Sequence, residues 1–102
     1  MQYNKLVRDR IIEIWNPKYG KDPKYHIADE IEFQFKLKQK LKEEVNEFLK
    51  TKGTDELIDV LEVVYALART KGVSLEELEK MRLEKIVTNG SFDKRIILER
   101  VE

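Results

Sequence analysis

From Asp29 onward the chain sets an apolar side chain at every third or fourth position, and glycines punctuate that rhythm. Phe33, Leu37, Leu41, Val45, Phe48 and Leu49 make one stripe; Leu57, Val60, Leu61, Val64, Leu67 and Ala68 make a second. Strand side chains alternate between two faces, so only a helix gathers residues at this spacing on one side. The chain is therefore expected to be all-α, with helices over 29–52, 55–71 and from 74 to about Asn89-Gly90. Gly53 and Gly72 read as helix stops. Thr54 reads as the cap of the second helix, whose first turn carries Asp55 and Glu56. Ser74 and Glu77 form a capping box, and Val73 and Leu78 the hydrophobic staple across it. The turn formers of 16–23, including Pro17 and Pro23, read as a loop after a short N-terminal element that Trp15 packs down. The tail 91–102, with Phe92 and Ile96-Ile97-Leu98, suits a short strand or one more helical turn.

A chain of 102 residues is expected to form one domain, 1–102. Three helices and short flanking pieces leave apolar faces uncovered, so the expected architecture is an antiparallel helical bundle completed by homo-oligomerisation, at least as a homodimer. Twenty basic against twenty acidic residues give no net charge, which removes the field that drives binding to nucleic-acid polymers or anionic membranes. With 41% hydrophobic residues the chain is too apolar to stay disordered. Zero cysteines and one histidine leave oxygen donors as the only source of a metal site. His26 has no acid or nucleophile at a telling spacing. No apolar stretch reaches bilayer length and the first residues lead into no hydrophobic signal, so the expected location is cytoplasmic.

The acids stand where a core would be. With Leu41 at zero on a helical wheel, Glu44 falls at about −60°, inside the apolar arc, and Glu47 at about −120°, on its border. With Leu57 at zero on the next helix, Glu56 falls at about −100° and Asp59 at about −160°. Each helix thus carries an inner acid and, three residues later, a border acid, and the tight turn at Gly53 makes the helices antiparallel neighbours. Four carboxylates are expected on one seam. Clustered half-buried carboxylates need compensation, and a divalent cation is its simplest source; oxygen donors alone favour a hard ion, Mg²⁺ or Mn²⁺, which brings phosphate oxygens into view. The plainer alternative is a solvated face on which Lys40, Lys42 and Lys50 pair with these acids.

Glu43-Glu44-Val45-Asn46-Glu47 followed by Glu56-Leu57-Ile58-Asp59 resembles the paired acidic motifs of the MazG-like, all-α nucleoside triphosphate pyrophosphatases. Tyr3-Asn4-Lys5-Leu6-Val7-Arg8-Asp9-Arg10-Ile11 is similar to the N-terminal KLVRDKI pattern of a branch related to phosphoribosyl-ATP pyrophosphohydrolase. Residues 59–64 and Asn89-Gly90-Ser91-Phe92-Asp93-Lys94-Arg95 resemble two further segments of that branch. The hairpin between Glu47 and Glu56 is shorter than the usual family spacing, Ile12 stands where the pattern has Pro, and Asn89-Gly90-Ser91 replaces a fuller Arg-Gly-Gly. Reflection about Gly53 sets Glu47 opposite Asp59 and Glu44 opposite Glu62, which makes Glu62 an alternative to Glu56.

The resemblance implies that Glu44, Glu47, Glu56 and Asp59 bind Mg²⁺ or Mn²⁺, with Glu43 or Glu47 serving as the base that activates water. It implies hydrolysis of a nucleoside triphosphate to monophosphate and pyrophosphate. Lys85 and Arg95, then Arg8 and Lys5, are the candidates for the substrate's phosphates, with Arg82 nearby in sequence. A phosphoribosyl-ATP-type substrate is the alternative within enzymes, and a non-catalytic helical dimerisation module the alternative outside them. Phe35 and Tyr65 are the aromatic side chains left for a base; Phe33 and Phe48 belong to the core.

Overall fold

The computed structural model describes residues 4–102, the side chain of Asn16 excepted. Tyr3 of the N-terminal motif lies outside them. Four helices follow in order, α1 (Ile11–Tyr19), α2 (Glu30–Thr51), α3 (Thr54–Thr70) and α4 (Leu75–Asn89), with no strand among the described residues. Helix backbones approach closely between α2 and α3 and, over a shorter stretch, between α3 and α4. The body measures 61 × 32 × 24 Å.

Helices α2 and α4 begin where the sequence supplies a side-chain acceptor. The Asp29 side chain takes the Glu32 amide hydrogen at 2.8 Å and caps α2. Ser74 takes the Glu77 amide hydrogen at 3.1 Å, and its own hydroxyl donates to the Glu77 carboxylate at 3.1 Å. Gly72, at φ 76°, closes α3: its amide bonds Arg69 O and that of Val73 bonds Ala68 O, both at 3.0 Å. This double closure needs the left-handed backbone that glycine adopts without strain.

The turn between α2 and α3 departs from expectation. Lys52, not Gly53, takes the left-handed position at φ 57°, its amide bonding Phe48 O at 2.6 Å. Gly53 is extended and is itself the N-cap of α3, so Thr54 is the first helical residue instead of the cap. The Glu56 carboxylate folds back over the turn into the space beside Gly53.

Two other expectations are corrected. Pro17 lies inside α1, where only the hydrogen bond to the Glu13 carbonyl is forgone and the helix ends two residues later; Trp15 and Tyr19 rings meet at 4.6 Å along it. The tail forms neither strand nor helix, closing only an Arg95 N–H to Phe92 O turn at 3.1 Å, because Ile96, Ile97 and Leu98 have no strand to pair with and stand open to solvent.

The core is small and off-centre. Leu37, Val63 and Ala68 are the buried hydrophobic residues, at 2%, 7% and 8% exposure. Val63 lies about 120° from Leu57 around the wheel, yet Leu57 and Leu61, central to the apolar stripe, are 49% and 46% exposed. On α2, Leu37 is buried while Val45, Leu49 and Phe35 are exposed. Both helices therefore turn toward the acid-bearing edge of their stripes by roughly 60–80°. The remaining apolar residues form an uncovered face on the other side of the hairpin.

Candidate functional site: an acidic face crossed by an N-terminal strap

That rotation draws Glu44 out of solvent. Its side chain is 13% exposed, and Lys40, 17% exposed and one turn earlier, reaches it at 3.3 Å. Lys40 also lies 3.4 Å from Glu43. Glu56 and Asp59 are half-buried on α3 and Glu47 is exposed on α2. Glu62 is turned to Arg69 at 3.6 Å and is half exposed, so it is Asp59 that faces the strap described next.

Residues 4–8 lie across this face. The Lys36 ammonium donates to the Asn4 carbonyl at 2.7 Å, the Lys5 ammonium stands 3.4 Å from Glu43, and the Arg8 guanidinium donates to Asp59 at 2.7 Å. The carbonyl of Arg8 then accepts the Ile11 amide hydrogen at 3.1 Å as α1 begins. Two of the expected phosphate ligands are thus brought to the acids and paired with them. The opposite charges of the two motifs were visible in the sequence; their pairing across 38 and 51 residues was not.

The other two expected phosphate ligands are elsewhere. Lys85, on α4, and Arg95, in the tail at φ 56°, are exposed, and among the described residues neither makes an ion pair. Arg82 is held by Glu79 through two hydrogen bonds of 2.6 and 2.9 Å. That pairing lowers the Glu79 carboxyl and raises the Arg82 guanidinium from their ordinary pKa values. An open groove of about 640 Å³ runs along α4 past Leu75, Leu83 and Val87, away from the acidic face. His26, exposed as expected, does have an acid partner, Glu32 at 2.8 Å.

The four acids share a face without closing on one point. Among the described residues no three carboxylates or imidazoles are grouped closely enough to hold a metal ion. Each is drawn elsewhere: Glu44 to Lys40, Asp59 to Arg8, Glu56 back over Gly53, Glu47 toward solvent. In kind the donors fit a hard divalent cation, being all carboxylate oxygen on facing helices and partly withdrawn from water.

The profile of the phosphoribosyl-ATP pyrophosphohydrolase family matches residues 8–84, which takes in Arg8, both acid pairs and most of α4. The chain belongs to this family. It stands within the MazG-like all-α nucleoside triphosphate pyrophosphatases, as the motifs indicated, and its helices agree with that fold class. Membership in this family points to a pyrophosphohydrolase. The comparisons returned no match among curated proteins and none among solved structures. Among the described residues no helix is long and apolar enough to cross a membrane.

Proposed function

We propose that the chain hydrolyses a nucleoside triphosphate, or a related nucleotide, to the monophosphate and pyrophosphate with Mg²⁺ or Mn²⁺ as cofactor. Glu44 carries this reading: a carboxylate only 13% exposed, in a chain of a pyrophosphohydrolase family, is too costly to keep for a surface role. Glu44, Glu47, Glu56 and Asp59 would hold the cation. When bound, it supplies charge neutralisation at the α- and β-phosphate oxygens and orients water for attack at the α-phosphorus. Glu43, or Glu47, takes the proton from that water. Both are reachable from solvent, as a group that must exchange a proton requires. Lys5 and Arg8, which already stand at the acids, supply the cations for the phosphate chain.

A second reading, phosphoribosyl-ATP as substrate, has its own support in the identity of the matched family. The uncovered apolar face of Phe35, Val45, Leu49, Leu57, Ile58 and Leu61 supports a homodimer or higher assembly, since a monomer burying three side chains has little core of its own. A cysteine-free enzyme of free nucleotides belongs in the cytoplasm.

The test is pyrophosphate release from a panel of canonical, deoxy and modified triphosphates and phosphoribosyl-ATP, with and without Mg²⁺. Release that needs Mg²⁺ is expected, falling at least a hundredfold in Glu44→Gln and Glu56→Gln and unchanged in Glu76→Gln, an exposed residue of α4. No release from any substrate would leave the dimerisation module as the reading. Loss in Glu62→Gln with retention in Glu56→Gln would move the ligand six residues along α3, from Glu56 to Glu62.

A further inference from the structure

The strap is stapled at three successive places onto two different helices, and each staple falls on the acidic side of the hairpin. Asn4 meets Lys36 and Lys5 meets Glu43 on α2; Arg8 meets Asp59 on α3. No comparable fastening ties the other end of the chain to α2 or α3 among the described residues, where the tail stands open. The strap contributes two cations to a face that carries Glu43, Glu44, Glu47, Glu56 and Asp59, where Lys36 and Lys40 of α2 already stand. Mutual repulsion of the acids, which would otherwise oppose docking α3 on α2, is offset by these cations.

We infer that residues 4–8 are the resident counter-ion of the acidic face, displaced by a divalent cation and then re-used on the substrate's phosphates. The inference rests on the metal-dependent reading and adds an order of events to it. A guanidinium at 2.7 Å from Asp59 and a doubly charged ion on the same carboxylate repel each other, so each weakens the other's hold. That antagonism is reciprocal: an ion that is bound less well because of Arg8 also loosens Arg8. Once loosened, Arg8 presents a planar fork of donors suited to phosphate oxygens, and Lys5 a compact charge beside it. The same two side chains neutralise the site when it is empty of metal and the nucleotide when it is not. Arg8 and Lys5 are positioning residues in the first state and binding residues in the second.

The experiment uses the full chain, stripped of metal and titrated with Mn²⁺ alone, reading free Mn²⁺ by electron paramagnetic resonance. Arg8→Gln is expected to bind Mn²⁺ at least threefold more tightly than wild type and Lys5→Gln to change in the same direction. Arg100→Gln removes an equal charge from the tail, where Arg100 pairs with Glu102, and is expected to bind as wild type does. In the wild type, added Mg²⁺ should lower the backbone heteronuclear NOE of residues 4–8, reporting a released segment; this measurement decides the matter if Arg8→Gln loses its helix content. Equal or weaker Mn²⁺ binding in Arg8→Gln, or a strap that stays ordered in Mg²⁺, overturns the counter-ion inference while leaving the metal site standing. Absence of Mn²⁺ binding in wild type and variants alike overturns the metal reading and the inference with it.

Discussion

The contact between Lys40 and Glu44 is the feature whose removal has the most calculable effect. At 3.3 Å and with both side chains more than four-fifths withdrawn from solvent, the pair's direct attraction is about 5 kcal/mol at an effective dielectric of 20, and about 1 kcal/mol at that of water. Desolvation of both groups consumes most of the larger figure. Lys40 also keeps Glu43 at 3.4 Å, so Glu44→Gln does not strand it. We therefore expect Glu44→Gln to cost about 1 kcal/mol of stability in metal-free buffer, near 4–8 °C in Tm for a domain of this size. Lys40→Met should cost more, about 2 kcal/mol, because it takes from the largely buried Glu44 the cation that pairs with it. The double variant should cost less than the sum by at least about 0.5–1 kcal/mol, the signature of a direct interaction. The assay is urea unfolding of the four proteins at one fixed chain concentration, since any assembly makes stability depend on it. Strictly additive costs would refute the reasoning, and so would a stabilised Glu44→Gln, which would mean that repulsion among the acids outweighs the lysine.

Three further outcomes follow from the same geometry. Lys52→Gly should raise stability by about 0.5–1 kcal/mol in urea unfolding, because Lys52 holds a left-handed conformation at φ 57° that glycine adopts freely. Glu79→Gln should lower the helix content seen by circular dichroism at neutral pH and match wild type in strong acid. The Arg82 hydrogen bond depresses the Glu79 carboxyl, so its contribution is present above the ordinary glutamate range and disappears as pH falls through the lowered value. Leu57→Lys with Leu61→Lys should yield a monomer by light scattering from a wild type that is dimeric or larger; a wild-type monomer would remove the case for assembly through that face.

How far the sequence disclosed this structure varies by element. Gly72, Ser74 and Gly90 were legible because a helix end is a local event: one side chain or one positive-φ residue answers to groups a few positions away. Glu44 was legible too, since its place inside the stripe follows from the helical period alone. The same period could not say which edge of a broad stripe meets the neighbouring helix. Leu57 stands at the centre of its stripe and is half exposed, whereas Val63 at the margin is buried. That choice depends on the partner helix and on where the turn releases the chain. Lys52 was hidden because glycine is the better left-handed residue, yet here Gly53 is extended and caps α3. The strap's ion pairs were beyond reach, as nothing local relates Arg8 to a carboxylate 51 positions away.

The two-residue connection of Lys52 and Gly53 makes the phase of α3 a single adjustable quantity. One residue removed there would turn α3 by about 100° against α2, carrying Glu56 and Asp59 off the acidic side and the half-exposed Leu57 and Leu61 into the contact. The product would be a better-packed hairpin without a site. A short turn thus works as an index mark that holds the helices at an angle burial alone would not choose, and shortening it by one residue is the step by which a relative of this chain could exchange its acidic seam for stability.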